Sequence, residues 1–173
     1  EVSDDEGIIH DITYATNSQN PVDFRDLKSN DDIQILLEKS AEGLDYIYKR
    51  KRDGSTNTNA IPSTVAAEAV LAVWRERPHL AKYKRNEFFD KYYSDIFEDL
   101  NAAQMIIAVL IFRYCDSRRK HQCLNKDIQA SRPFSQHFLA YMIGKQLLQE
   151  HSIELNSLTH TNFYKVKEDF ERN

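Results

Sequence analysis

The sequence predicts a mainly α-helical domain, a multi-helix orthogonal or bundle-like array with one short β-strand or hairpin near residues 44–61. Its 173 residues include only 4 Gly and 4 Pro, and this scarcity of turn formers argues against a β-sandwich or barrel. Apolar residues recur at intervals of three and four along most of the chain, which is the spacing of an amphipathic helix. A chain of this length, 41% hydrophobic, suits one domain with a sizeable core.

The first predicted element is a helix close to the start of the chain. Ser3 and Glu6 make a capping box ahead of Ile8 and Ile12, which repeat at helical spacing. Asn17 tolerates the left-handed conformation and is a suitable end for this helix. The β-branched content of the segment leaves a strand as the alternative.

A second helix is predicted between a polar cap and a glycine. It begins after Ser29 or Asn30 and runs to Glu42, because Gly43 is a common C-terminal stop. The apolar side chains expected to face the interior are Ile33, Leu36 and Leu37.

A short strand is predicted after this helix, where apolar and polar residues alternate over residues 44–48. Asp53 and Gly54 form a turn signal, so the strand is expected to be half of a hairpin with residues 56–61. The stretch 49–60 is also the one place where a hinge is expected.

Helical patterning resumes at Ser63 or Thr64, either of which can cap the next helix. Residues 101–119 form the most apolar segment and are expected to be the central helix. A polar break containing Pro133 is expected before the penultimate helix. The helical segments predicted from here are residues 63–74, 86–97, 101–119, 135–151 and 162–170. All of residues 1–173 are therefore expected to form a single, mostly helical domain.

Composition restricts the class of protein. The formal net charge is −4, so nucleic acid can be attracted only by a local basic patch. The longest apolar run, residues 105–112, is too short to span a bilayer, and a cytoplasmic location without membrane contact is expected. Cys115 and Cys123 are expected to be free thiols. The chain begins at Glu1 rather than Met, so a C-terminal fragment of a longer chain is expected.

The familiar catalytic motifs are missing from this sequence. It contains no Gly-rich phosphate loop followed by Lys, no Gly-x-Ser-x-Gly elbow and no His-Glu-x-x-His helix. No spacing fits a structural zinc site, and we expect no metal and no cofactor. Whether the chain is an enzyme is left open by the sequence, and its catalytic residues are unknown.

One pair of residues has the spacing of a ribonuclease motif. Arg132 and His137 match the Arg-x4-6-His spacing of HEPN ribonucleases, with His137 as general base toward a ribose hydroxyl and Arg132 stabilising the phosphate. Pro133 is expected to place Arg132 at or before a helix start, whereas the HEPN pair lies within a helix. A self-contained HEPN-like ribonuclease is therefore kept as the alternative function.

Four consecutive cations form a candidate nucleic-acid surface. Lys49, Arg50, Lys51 and Arg52 follow two tyrosines, and positive charge beside aromatic rings can hold phosphates and stack bases. Strand residues alternate between two faces, so only two of the four are expected to point the same way. The structural alternative is a solvated strand end.

A polar connection, residues 16–26, links the first two predicted helices. It is unusually rich in amides, hydroxyls and carboxylates. Its ligand-pocket candidates are Thr16, Asn17, Gln19, Asn20, Arg25 and Asp26. Amides can bind a base or phosphate, while an arginine can clamp an anion. The alternative is a rigid turn in which the same side chains bond the backbone and Arg25 pairs with a nearby carboxylate.

This polar connection carries a resemblance to a known family. The run Ala-Thr-Asn-Ser-Gln-Asn-Pro-Val at residues 15–22, then Arg-Asp-Leu at 25–27, Ser-Asn-Asp at 29–31 and Leu-Glu at 37–38 resembles the signature of the AIPR family, the abortive infection phage resistance proteins of bacteria. The resemblance covers residues 8–52 and, more loosely, residues 61–63 and 88–97.

The resemblance implies a segment of an antiviral defence protein, C-terminal to the family's expected active region. Within such a protein it implies a helical interaction or regulatory module, or one half of a nucleic-acid-processing site. The expected partners are the remainder of its own full-length chain and nucleic acid, with homo-oligomer formation left open.

Overall fold

The computed structural model describes residues 23–51, 57–120 and 126–172, without the side chains of residues 119, 120 and 126–134. The mainly helical prediction is confirmed. The helices of the described residues are α1 Phe24–Lys28, α2 Asp32–Glu42, α3 Ser63–Val73, α4 Pro78–Tyr83, α5 Tyr93–Phe97, α6 Ala102–Lys120, α7 Lys126–Glu150 and α8 His160–Arg172. Two short strands, β1 Ile47–Lys49 and β2 Ala60–Pro62, lie between α2 and α3.

The core is built where α3, α6 and α7 pack against one another. Helix α3 is buried almost all round, because alanines at 66, 67, 69 and 72 let neighbouring helices approach closely. Helix α6 is the predicted central helix, with Met105, Ile106 and Ile107 fully buried. The indole N–H of Trp74 donates to the backbone oxygen of Gln104 at 2.8 Å, which fixes the end of α3 against α6.

Gly144 sets the distance between α3 and α7. A Cβ added at this position would lie 2.5 Å from Cγ1 of Val73 and 3.1 Å from the ring of Trp74. The first distance is far below, and the second clearly below, the optimal separation of about 3.5–4.0 Å between packed carbon atoms. A side chain here would therefore push the two helices apart.

Helix α2 ends at Glu42 as predicted, with Gly43 as its C-cap, but its N-cap is Asp31 rather than Ser29 or Asn30. One predicted core residue is wrong, because Leu36 is 62% exposed. The buried face instead carries Leu37, Ala41 and the polar Gln34. Gln34 is held there because its side-chain oxygen accepts from the hydroxyl of Tyr48 at 2.6 Å.

The two strands pair in parallel, with Ile47 opposite Ala60 and Lys49 opposite Pro62. The predicted strand is present, but the hairpin is wrong, since a hairpin requires antiparallel strands. Arg113 of α6 contributes to this arrangement by donating to the backbone oxygens of Thr58 at 3.0 Å and Ala60 at 2.6 Å. The incoming end of β2 is thereby fixed to the central helix.

Two further expectations need correction. Residues 86–97 do not form one helix: a 3₁₀ turn at Arg85–Glu87 precedes the short α5. The rings of Phe89, Tyr93 and Phe97 still pack together, with centroids 5.1–6.3 Å apart. Pro133 lies inside α7 rather than in a break before it. The cost of one lost backbone bond is offset by the long buried face that follows.

Several expectations fall on residues outside the described part of the chain. They are the helix around Ile8 and Ile12, its end at Asn17, and the Asp53-Gly54 turn.

Candidate functional site

The polar connection ends in a pocket between α1, the start of α3 and the 3₁₀ turn after α4. Its volume is about 330 Å³. The lining residues that matter for its chemistry are Asp23, Arg25, Glu68, Arg85, Asn86 and Phe88. We call it the Arg25 pocket.

Arg25 reaches this pocket because a local cap shapes the chain around it. Asp23 is the N-cap of α1, and its carboxylate accepts the backbone N–H of Arg25 at 3.0 Å. This short helix was not predicted, although an aspartate before an apolar residue is a common N-cap signal. The turn directs Arg25 inward, where its side chain is only 7% exposed.

Arg25 joins three separate parts of the fold. Its Nε–H donates to the hydroxyl of Ser63 at 2.8 Å, and Ser63 in turn donates to the backbone oxygen of Arg50 at 3.4 Å. Ser63 is completely buried at the first turn of α3. The end of the polar connection is therefore linked, through Arg25 and Ser63, to the residue after β1 and to the start of α3.

Glu68 is the buried carboxylate of the Arg25 pocket. It lies in the otherwise apolar α3, 5% exposed, and a charge in that position requires close partners. His137 Nε2 lies 2.8 Å from its Oε1, and the guanidinium of Arg85 donates to the same oxygen. The partners differ in exposure, since His137 is 2% and Arg85 62% exposed.

His137 is enclosed on the opposite side as well. Its ring packs edge-on against Phe112 at a centroid distance of 5.2 Å, and its Nδ1 is buried with no hydrogen-bond partner in the described residues. The imidazole therefore contacts Glu68 from the side away from the pocket, and Glu68, not His137, lines the pocket.

The pocket can bind a ligand that carries both kinds of polar group. Arg25 and Arg85 offer planar N–H donors, which suit phosphate and carboxylate oxygens. Glu68 offers an acceptor to N–H groups of a ligand. The signal that could have revealed Glu68 is its position, since it is a lone charge within an apolar helical stripe.

Asp26, the other described candidate of the polar connection, faces away from this pocket. Its side chain is exposed, and its backbone oxygen accepts the hydroxyl of Ser29 at 2.7 Å. Thr16, Asn17, Gln19 and Asn20 lie outside the described residues.

The four-cation cluster is divided by the fold. Arg50 turns inward, where its Nε donates to Glu38 at 2.8 Å and its guanidinium contacts the backbone oxygen of Ser29. Lys49 and Lys51 lie beside Glu38 in a separate depression of about 270 Å³, and Arg52 is outside the described residues. Nucleic-acid contact by this cluster stays a prediction.

The two tyrosines before the cluster are part of the core. Tyr46 is 6% and Tyr48 1% exposed, so neither ring offers an open face to a base. Burial raises the pKa of the Tyr48 hydroxyl above its ordinary value.

The HEPN-like pair is only partly described. Arg132 belongs to the interior of α7, and its side chain lies outside the described residues. His137, on the same helix, is held by Glu68. The self-contained ribonuclease stays a prediction.

Metal ligands, free thiols and membrane-spanning helices can each be assessed in the described ranges of the chain. No group of three or more His, Cys, Asp or Glu side chains there comes close enough to hold a metal ion. Cys115 is a buried free thiol, and burial raises its pKa to about 11. Cys123 is outside these ranges. No helix within them has both the length and the apolar character needed to cross a membrane.

Comparison with known proteins places the whole chain in one family. The family model described as AIPR protein matches residues 1–171, well beyond the polar connection that carries the resemblance in the sequence. Comparisons with curated proteins and with solved structures gave no match. The match extends over nearly all 173 residues, and the chain therefore belongs to the AIPR family of abortive infection phage resistance proteins.

Proposed function

We propose that this chain supplies one half of a nucleic-acid-processing site in a phage-defence protein, and that the Arg25 pocket is its contribution. The observation that carries the proposal is that two buried charged residues, Arg25 and Glu68, line the same pocket. A purely structural turn does not require a charged side chain to be 7% exposed at the edge of a cavity of about 330 Å³.

The donors of the pocket suit the backbone of nucleic acid. Most protein contacts to nucleic acid are made to phosphate and sugar, and arginine is well suited to them because its planar group can donate two parallel bonds. Arg25 is positioned by Ser63 before any ligand arrives, so little side-chain entropy is lost when a ligand binds. Arg85, mostly exposed, is free to adjust to the ligand.

The experiment compares two partly exposed arginines in the intact protein. Arg85 lines the pocket, whereas Arg77 pairs with Asp95 at 2.5 Å and does not line it. Arg85→Gln is expected to abolish protection of bacteria against phage, and Arg77→Gln to leave it unchanged.

A second substitution separates loss of function from loss of fold. Arg85→Lys keeps a cation beside Glu68, so the melting temperature is expected to stay close to that of the wild type. It removes the planar donor pair, so protection should still fall. Full protection by Arg85→Gln in a folded protein would overturn the proposal.

An interaction or regulatory module is the second candidate function. Its support is the outer face of α7, where Phe138, Leu139 and Met142 are 52%, 43% and 61% exposed. Three large apolar side chains within about one turn are characteristic of a contact surface. The double substitution Phe138→Ser and Met142→Ser is expected to abolish protection if this face is required, with no change in the Arg25 pocket. Unchanged protection would reject it.

A further inference from the structure

We propose that the Arg25 pocket binds a single unpaired nucleotide whose base carries an amino group. The inference rests on the proposed function above and names the substrate class of the same site. In this arrangement Glu68 receives the amino group of the base, and Arg25 with Arg85 receives the phosphate.

The arrangement of bonds around Glu68 leaves one carboxylate oxygen for a ligand. His137 and Arg85 both bind Oε1. Oε2 has no hydrogen bond within the described residues, and it is not among their fully buried unpaired atoms. Since Glu68 lines the pocket and Oε1 is already bonded, Oε2 is the oxygen that a ligand in the pocket would use. An ionised carboxylate oxygen accepts hydrogen bonds and donates none.

The identity of the base follows from this acceptor. Cytosine, adenine and guanine each present an amino group, and an acidic side chain commonly accepts the N4 amino group of cytosine. Uracil carries a carbonyl oxygen at the same ring position, and two acceptors facing each other cannot bond. The pocket therefore favours cytosine over uracil, two bases of almost equal size.

The charges of the pocket fit a phosphate at its outer side. Arg85 uses one terminal nitrogen for Glu68, and a guanidinium carries five N–H donors. The pocket volume of about 330 Å³ lies at the lower end of the roughly 300–1,000 Å³ of ligand sites. That space suits one nucleotide that has left its stack, as in enzymes that act on extruded bases.

Binding to the intact protein can be measured by isothermal titration calorimetry with cytidine 5′-monophosphate, uridine 5′-monophosphate and inorganic phosphate. We expect the cytidine nucleotide to bind at least about tenfold more tightly than the uridine nucleotide, because only it satisfies Oε2. Inorganic phosphate alone should bind more weakly than either nucleotide.

Two substitutions separate the role of the Glu68 carboxylate from the role of the Arg85 guanidinium. Glu68→Gln should reduce the difference between the two nucleotides to about twofold or less, whereas Arg85→Gln should weaken both by a similar factor. Arg77→Gln, outside the pocket, should change neither.

Equal binding of the two nucleotides by the wild-type protein, or no binding of either, would overturn the inference without any variant. So would a folded Glu68→Gln protein that keeps the full preference. If these outcomes occur while Arg85→Gln still abolishes phage protection, the substrate class is wrong and the proposed site remains. If Arg85→Gln protects fully, the proposed function itself fails.

Discussion

Gly144→Ala should destabilise this protein even though alanine is the better helix former. The new Cβ would lie 2.5 Å from Cγ1 of Val73 and 3.1 Å from the ring of Trp74. Val73 is β-branched and has little rotamer freedom in a helix, so relief requires movement of α3 or α7. Overpacking of this kind costs about 1–3 kcal/mol, and the gain in helix propensity from Gly to Ala is about 1 kcal/mol.

The net expected loss is therefore about 1 kcal/mol, which corresponds to a fall in melting temperature of roughly 2–4 °C for a domain of this size. Gly43→Ala is the matched control, because its nearest neighbours lie at 3.5 and 3.9 Å and its φ is −65°. That variant should be as stable as the wild type or slightly more stable. Thermal unfolding followed by circular dichroism measures both, and a Gly144→Ala protein at least as stable as the wild type would refute the close approach of α3 and α7.

Three further outcomes are expected. Trp74→Phe should cost about 1–3 kcal/mol in urea unfolding, because the backbone oxygen of Gln104 loses its indole donor and the smaller ring leaves part of the buried space empty. A loss below about 0.5 kcal/mol would contradict the bond. In a Cys123→Ser background, Cys115 should react with Ellman's reagent at pH 8 only after denaturation. Burial raises the pKa of its thiol to about 11, so the thiol stays protonated below that value. Rapid labelling of the native protein would contradict the burial of Cys115. His137→Ala should lower the free energy of unfolding by about 3 kcal/mol, because Glu68 loses a buried partner. If the variant still folds and still protects against phage, the HEPN-like alternative is excluded.

Helical periodicity correctly predicted the helices that are specified by their own pattern of apolar residues. The central helix, now Ala102–Lys120, has an apolar run that only a buried helix satisfies. Helix α2 ends at Glu42 as predicted, with Gly43 as its C-cap. Pro133 was misjudged as a break, since a helix with a long buried face tolerates one missing backbone bond.

Long-range contacts explain the errors in the β element. The parallel pairing of β1 and β2 depends on the position of the segment that leads into β2. Arg113 of α6 fixes this segment by donating to the backbone oxygens of Thr58 and Ala60. These residues are more than fifty positions apart in sequence. Local turn signals favour a hairpin, and no local pattern reports a contact from a later helix.

The candidate site was found only in part for the same reason. Arg25 was identified because it belongs to a polar segment with a recognisable order of residues. Glu68 and Arg85 come from other elements, and the pocket exists because α1, α3 and the 3₁₀ turn meet. The pairing of Glu68 with His137 spans 69 positions, and sequence spacing carries no information on it.

The central claim is that the polar connection and the Arg25 pocket serve a ligand rather than a turn. Its most direct test is phage protection by the intact protein carrying Asn17→Ala or Gln19→Ala, with the melting temperature measured in parallel. A ligand role predicts that protection is abolished while the melting temperature stays within about 1 °C of the wild type. One lost structural bond of about 0.5–1.5 kcal/mol would lower it by roughly 1–6 °C. Full protection by both folded variants would contradict the account, as would a lower melting temperature with protection reduced only in proportion to the unfolded fraction.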